Sequence, residues 1–264
     1  HPCGGSFGMK NVGYPEYVCA LWAARKLSRR IRWSASRLES FMADTQARDQ
    51  TAKATLALDK TGKFLGLKVE IKASLGAYIG PMSTHPQVAN LGGLAGVYRT
   101  PAITATVDGF FTNTQSIAPY RGAGRPEATY IIERMIDIAA QETGFDKIEL
   151  RRVNMINTAE FPFKTGLSFT YDCGDFPKVL NMALQAADYT GFKERRLKSE
   201  QKQKIRGLGV ANPIEIAAGP DHSPNPEYAS VTIKTNGTLE VLVGSQDSGQ
   251  GHYTAFIQLL SDHL

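Results

Sequence analysis

Apolar positions along the chain follow two periods. Val18, Leu21, Trp22 and Leu27 stand at helical spacing behind Pro15, which predicts a helix over 15–27 with that face buried. Thr55-Leu56-Ala57-Leu58, a Lys60-Thr61-Gly62-Lys63 turn and the alternating Leu65-Gly66-Leu67-Lys68-Val69-Glu70-Ile71 predict a hairpin across 53–73. Residues 74–101, rich in Gly and Pro, read as irregular loop, and Ile103 to Phe111 as another strand. Pro126 to Thr143 carries the strongest helix pattern. Proline opens it, Glu127 lies beside the N-terminal dipole, Ile131, Ile132, Met135, Ile136 and Ala139 form its core side, and Gly144 stops it.

Asp146 caps a further short helix, and Asp175 with Pro177 starts another that runs to about Ala187. Ala229 to Thr235 and Thr238 to Val243 form a hairpin about Asn236-Gly237, since that dipeptide supplies the positive φ values of a two-residue turn. From His252, Phe256, Leu259 and Leu260 begin a helix, and the chain stops inside it. The mixture predicts an α+β (mixed α/β) fold. With no initial Met and an end inside a helical pattern, the natural polypeptide is expected to continue beyond these 264 residues.

Composition narrows the class. A chain of 264 residues that is 42% hydrophobic buries a large core, at a size where one core commonly gives way to two. No apolar run approaches the roughly 20 residues of a membrane span, and no signal-peptide pattern opens the chain. Cys3, Cys19 and Cys173 are odd in number and far apart, as expected of reduced thiols in a cytoplasmic protein. Cys19, inside an apolar helical pattern, reads as a small buried hydrophobe. His1, His85, His222, His252 and His263 lack ligand spacing and are assigned to no metal. The net charge of +5 sits in one segment, Lys193 to Arg206, with seven basic residues against two acidic ones. A solvated helix or connector explains it better than a nucleic-acid contact, because no aromatic residues are interleaved with the charges.

Three glycine loops carry the candidate chemistry: Gly4-Gly5-Ser6-Phe7-Gly8-Met9-Lys10, Tyr120-Arg121-Gly122-Ala123-Gly124-Arg125, and Gly244 to His252 with Gly249-Gln250-Gly251 at its end. Arg121 and Arg125 offer forked donors to an anion, and glycine lets backbone N–H groups approach one closely. A helix start directly after such a turn is a ready anion site. The alternative is an ordinary glycine turn bearing surface arginines.

The order of these loops, with Tyr14-Pro15, the Trp33 to Arg48 segment containing Arg37 and Glu39, Glu149 to Asn154, and Tyr171-Asp172-Cys173-Gly174-Asp175, resembles the molybdenum-binding large subunit of the xanthine dehydrogenase, aldehyde oxidase and aerobic carbon monoxide dehydrogenase family. The carbon monoxide dehydrogenase-like branch with a Gly-Ala-Gly loop is the nearest likeness. In true carbon monoxide oxidisers the loop carries a copper-binding cysteine, where this chain has Gly122; Pro119 also stands where a small residue is expected.

The resemblance implies a molybdopterin-binding fragment of two subdomains: 1–160 as the first, 161–206 as connector and helical segment, and 207–264 as the start of the second. It implies molybdopterin cytosine dinucleotide with molybdenum as cofactor, contacted by Gly5, Phe7, Gly8, Tyr120, Arg121, Gly122, Ala123, Gln250, Gly251 and Thr254. Molybdenum is held by the pterin and by no protein side chain. Partners would be a medium subunit with FAD and a small subunit with [2Fe-2S] clusters, assembled as an oligomer of heterotrimers acting on a small-molecule substrate. The reaction implied is hydroxylation with water as oxygen source. Its general base, a glutamate in a Gly-Glu motif, is expected beyond Leu264, while Glu133, Glu142 and Glu149 read as surface residues and the chain alone as inactive. A non-catalytic nucleotide or phosphate-binding module and a nucleic-acid adaptor are the other readings.

Overall fold

A computed structural model describes residues 5–11, 13–88, 91–215 and 226–263. Cys3, Gly4, His1, His222 and most of the loop expected over 217–226 lie outside them. The chain divides into two compact units, Ser34–Glu215 and the pair of segments His1–Trp33 and Ile216–Leu264.

Helix α1 (Pro15–Leu27) has the expected bounds, with proline in its first turn and its carboxyl end closed by Ser28 in the left-handed region. Its apolar face is not buried, contrary to expectation. Val18, Leu21 and Trp22 are 67%, 71% and 61% exposed, and Cys19 is exposed as well. Helical spacing fixes which residues share a face; it does not supply what packs on that face.

In the larger unit, α2 (Arg37–Ala43) opens on a capping box, Ser36 and Glu39 each accepting the other's backbone N–H. Strands β1 (Gln50–Leu58) and β2 (Phe64–Gly76) form the expected hairpin. Asp59 Oδ1 accepts the N–H groups of Thr61 and Lys63, and Gly62 takes φ +84°. After a short turn of helix, α3 (His85–Val88), strand β3 (Ile103–Phe111) pairs parallel to β2, making β2 the middle strand. Leu67, Val69, Ile71 and Ala73 alternate on the buried face of β2, as a half-buried strand requires.

That face meets α4 (Arg125–Thr143), whose Ile131, Ile132, Ile136, Ala139 and Ala140 are buried in the same core, and α5 (Lys147–Asn154), which contributes Ile148 and Leu150. The stretch 74–101 is more than irregular loop. Leu94, Ala95, Val97 and Tyr98 are all within 2% of complete burial and join that core. Asn154 binds the hairpin turn to α5, accepting from Phe64 N and donating to Gly62 O and Leu150 O. Two short strands, β4 (Phe163–Lys164) and β5 (Thr170–Tyr171), precede α6 (Phe176–Ala186), capped by Asp175, and α7 (Phe192–Glu200).

A buried ionic cluster fastens the irregular run that follows. Arg151, fully buried, donates to Glu133 Oε2 at 2.9 Å, Asp137 Oδ1 at 2.9 Å and Val210 O at 3.1 Å, while Tyr98 donates to Glu133 Oε1 at 2.6 Å and receives a bond from Asn212. Burial disfavours the charge of Arg151, but Glu133, Tyr98 and Asp137 outweigh it and hold the guanidinium above its ordinary pKa; burial and Glu133 push Tyr98 up strongly. Glu133, expected at the surface, is therefore a core residue whose charge is neutralised inside the unit. Glu142 and Glu149 are exposed as expected.

The smaller unit contains the predicted hairpin, β6 (Ala229–Ile233) and β7 (Leu239–Val243), and α8 (His252–His263). Its turn is longer than two residues. Lys234 N donates to Thr238 O and Gly237 alone takes a positive φ, +79°, so Asn236 acts instead by accepting from Thr238 N.

Candidate functional site

The segment before α4 is the most unusual backbone in the larger unit. Gly122, Ala123 and Gly124 take φ +100°, +47° and +97° in succession, and Ala123 N and Arg125 N donate to Tyr120 O and Gly122 O. Glycine is required at 122 for two reasons, its positive φ and the approach of Pro126, whose Cγ would lie 2.6 Å from an added Cβ. The turn delivers the chain to the first turn of a nineteen-residue helix, at the positive end of its dipole, where Arg125 N is bonded to Gly122 O and Pro126 has no N–H to offer.

The two arginines of this turn differ. Arg121 is exposed and has no ion-pair partner among the described residues. Arg125 reaches Glu215 at 2.7 Å, so its charge is answered within the unit and is not simply available to an anion as expected from sequence. Arg48 supplies a third guanidinium that sequence reasoning left as the end of a segment. It donates to Arg121 O at 2.6 Å and Tyr120 O at 3.3 Å, pairs with Glu127 at 2.9 Å, and lies 5.4 Å from the centre of the Tyr120 ring. A cleft of about 480 Å³ opens beside it, between β1 and α4, lined by Ala52, Ala54, Tyr130, Arg134 and Met135 among others.

In the smaller unit, Gly5, Phe7 and Gly8 also take positive φ, +93°, +54° and +91°. Phe7 is 46% exposed, and its ring would stand 2.3 Å from a Cβ on Gly5. The third loop is organised by Asp247, a residue with no assigned role in the sequence. Its Oδ1 accepts from Gly249 N at 2.7 Å and Gln250 N at 3.0 Å, its Oδ2 from His252 N at 3.2 Å, and these bonds hold its carboxyl below the ordinary aspartate pKa. Three amides of that loop are thereby taken. Gly251, with φ +76°, and Thr254, in the first turn of α8, follow it.

The remaining charged segment is solvated surface. On α7, Lys198 pairs with Glu194 and Arg196 with Glu200, one turn apart on exposed faces. Among the described residues, no three His, Cys, Asp or Glu side chains could together hold a metal ion, and no helix is long and apolar enough to cross a membrane.

Comparison with known proteins agrees with the family resemblance read from the sequence. The profile of the molybdopterin cofactor-binding domain matches residues 1–155, and a second profile of the same description matches residues 182–264. The chain is 36% identical over 270 residues to the 6-hydroxypseudooxynicotine dehydrogenase complex subunit gamma of Paenarthrobacter nicotinovorans, covering 99% of this chain and 33% of that one. It is 32% identical over 274 residues to the carbon monoxide dehydrogenase large chain of Hydrogenophaga pseudoflava, covering 99% and 34%. The crystal structure of quinoline 2-oxidoreductase from Pseudomonas putida 86 superposes with a TM-score of 0.84 at 30% identity, over 99% of this chain and 34% of that one. The chain thus spans about a third of the length of the relatives it matches.

Proposed function

We propose, because this chain belongs to the molybdopterin cofactor-binding domain family, that it forms part of the large chain of a molybdenum hydroxylase, an oxidoreductase that takes oxygen from water and acts on an aldehyde, a heterocycle or a similar small molecule. The observation that carries the reading is the turn before α4: three successive positive-φ residues, an exposed Arg121 with no ion pair among the described residues and the start of a long helix lie on one short stretch. These features suit a phosphate-bearing cofactor, since a Cβ at Gly122 would fill the space of Pro126 and distort the turn that presents them.

When bound, the cofactor supplies the two-electron redox chemistry. The residues that would hold it are Tyr120, Arg121, Gly122 and Ala123 from the turn before α4, Gly5, Phe7 and Gly8 from the first loop, and Gln250, Gly251 and Thr254 from the third. Of the third-loop residues, Gln250 would act through its side-chain NH2 or its carbonyl, its N–H being taken by Asp247 and its Oε1 by Ser248 N. The form of cofactor proposed is the cytosine dinucleotide, with electrons passing to iron–sulfur and FAD-bearing partner subunits in a cytoplasmic heterotrimer. No glutamate on α4 or α5 serves as base: Glu127 is paired with Arg48, Glu133 is committed to Arg151 and Tyr98, and Glu142 and Glu149 face solvent. The base is assigned to a part of the enzyme other than these residues.

Gly122 also bears on the metal. It has no ligand atom, and a cysteine there would meet both the positive φ and Pro126, so the reading excludes a copper–thiolate bridge at this turn.

The test is the composition of the purified full-length enzyme. One molybdenum and one cytidine monophosphate released by acid hydrolysis per large chain are expected; a folded, correctly assembled enzyme with neither would overturn the reading.

A further inference from the structure

The geometry points to Arg48 as the positioning residue of the Arg121 turn, a guanidinium that clasps the backbone of the turn from below and fixes the direction in which its donors face. The inference rests on the assignment of that turn to cofactor binding.

Three observations converge on Arg48. Its Nη2 donates to the carbonyl oxygens of Arg121 and Tyr120 while Nη1 binds Glu127, so a single side chain joins both ends of the turn, the residues before Gly122 and the first turn of α4. Arg48 thereby fixes the peptide planes at Tyr120 and Arg121, and with them the direction in which the Arg121 side chain leaves the turn, while Ala123 N and Arg125 N are bonded back to Tyr120 O and Gly122 O. Arg48 itself takes φ +64°, a conformation that costs a non-glycine residue energy and persists where surrounding contacts dictate it. The segment carrying it is fastened to the segment leading into the turn: Gln46 N donates to Ser116 O and Ala118 N to Gln46 O, at 3.1 and 2.9 Å. The clasp is therefore anchored at its base as well as its tip.

A lysine could keep the Glu127 pair but lacks the planar fork that serves three oxygens at once. Arg48 acts through the carbonyls of Tyr120 and Arg121.

The test uses the full-length enzyme complex carrying Arg48→Ala, Arg48→Lys or Glu127→Gln, with hydrogen exchange of the Ala123 and Arg125 amides, molybdenum content and melting temperature as readouts. Arg48→Ala should raise exchange at these amides about tenfold, the factor expected from losing a hydrogen bond to a charged donor, with molybdenum content reduced. Arg48→Lys should behave more like Ala than like Arg. Because Arg48 lines an open cleft, ethylguanidinium should restore protection in Arg48→Ala, and ethylammonium should not. Unchanged exchange in both Arg48 variants overturns the proposal. Faster exchange with full molybdenum content upholds the clasp and overturns instead the assignment of the turn to the cofactor. Should Arg48→Ala fail to fold, Glu127→Gln, which removes only the charge that orients Arg48, decides by the same exchange measurement.

Discussion

A Cβ placed on Gly122 would stand 2.6 Å from Cγ of Pro126, four residues on. The glycine and the proline thus specify one another: the proline sets the helix start, and the glycine lets the chain fold back onto it. Both demands are internal to the turn, and they act before any ligand is considered.

Gly122→Ala is accordingly expected to lower stability as well as cofactor loading, by about 1–2 kcal/mol from the left-handed conformation alone, measured by denaturant unfolding alongside molybdenum analysis. Gly122→Cys should behave like Ala and gain no copper. Stoichiometric copper with carbon monoxide turnover in either the native enzyme or the cysteine variant would contradict the exclusion drawn from this position.

Arg121→Ala should separate function from stability. With no ion pair to lose among the described residues, the variant should keep its melting temperature while molybdenum content or turnover falls, consistent with loss of a charge-assisted contact worth roughly 1.5–3 kcal/mol. Lys202→Ala, in the solvated basic segment, should alter neither. If Lys202→Ala abolished turnover and Arg121→Ala left it intact, the site would lie elsewhere.

The regular elements were legible because periodicity and capping are local. α4 runs from Arg125 to Thr143 between Gly124 and Gly144, nearly as its pattern implied, and the β1–β2 hairpin turns at the expected Gly62. The failures share one cause, dependence on partners distant in sequence. Glu133 looks like any solvent-facing glutamate until Arg151, eighteen residues away, and Tyr98, thirty-five away, are brought to it. Leu94 to Tyr98 follow glycines and carry no period, yet form the centre of the core. Arg48 is invisible as a clasp because its acceptors are carbonyls seventy residues on. The glycine loops themselves were legible, since positive φ leaves its mark in residue type; what Asp247 does to the third loop was not.

The cluster around Arg151 gives a stability prediction free of the site. Glu133→Gln leaves the guanidinium buried with its principal charge unanswered, so a loss of about 3–5 kcal/mol is expected on chemical unfolding. A change below about 1 kcal/mol would mean that the guanidinium is hydrated in solution.

Asp247 gives a pH dependence. Its folded pKa is lowered, so its contribution is present above the ordinary aspartate value of 3.8 and is lost as pH falls through the depressed folded value. Amide protection at Gly249, Gln250 and His252 should therefore decline at acidic pH below that range and be absent in Asp247→Ala at every pH. Protection that is independent of pH down to full denaturation would show that the loop is held by something other than this carboxylate.

The parallel pairing of β2 with β3 has a consequence for synthesis. The β1–β2 hairpin closes through a five-residue turn and can form as soon as it emerges, but its inner face has no cover until residues 91–98, β3 and α4 follow. Parallel partners demand a long crossover, and the loop entropy must be met before the contacts return it. The hairpin therefore waits, half-finished and with an open edge, for some seventy residues of further chain. During that interval a nascent polypeptide is most exposed to mispairing, which makes the middle strand the place where slowed translation or a chaperone would matter most.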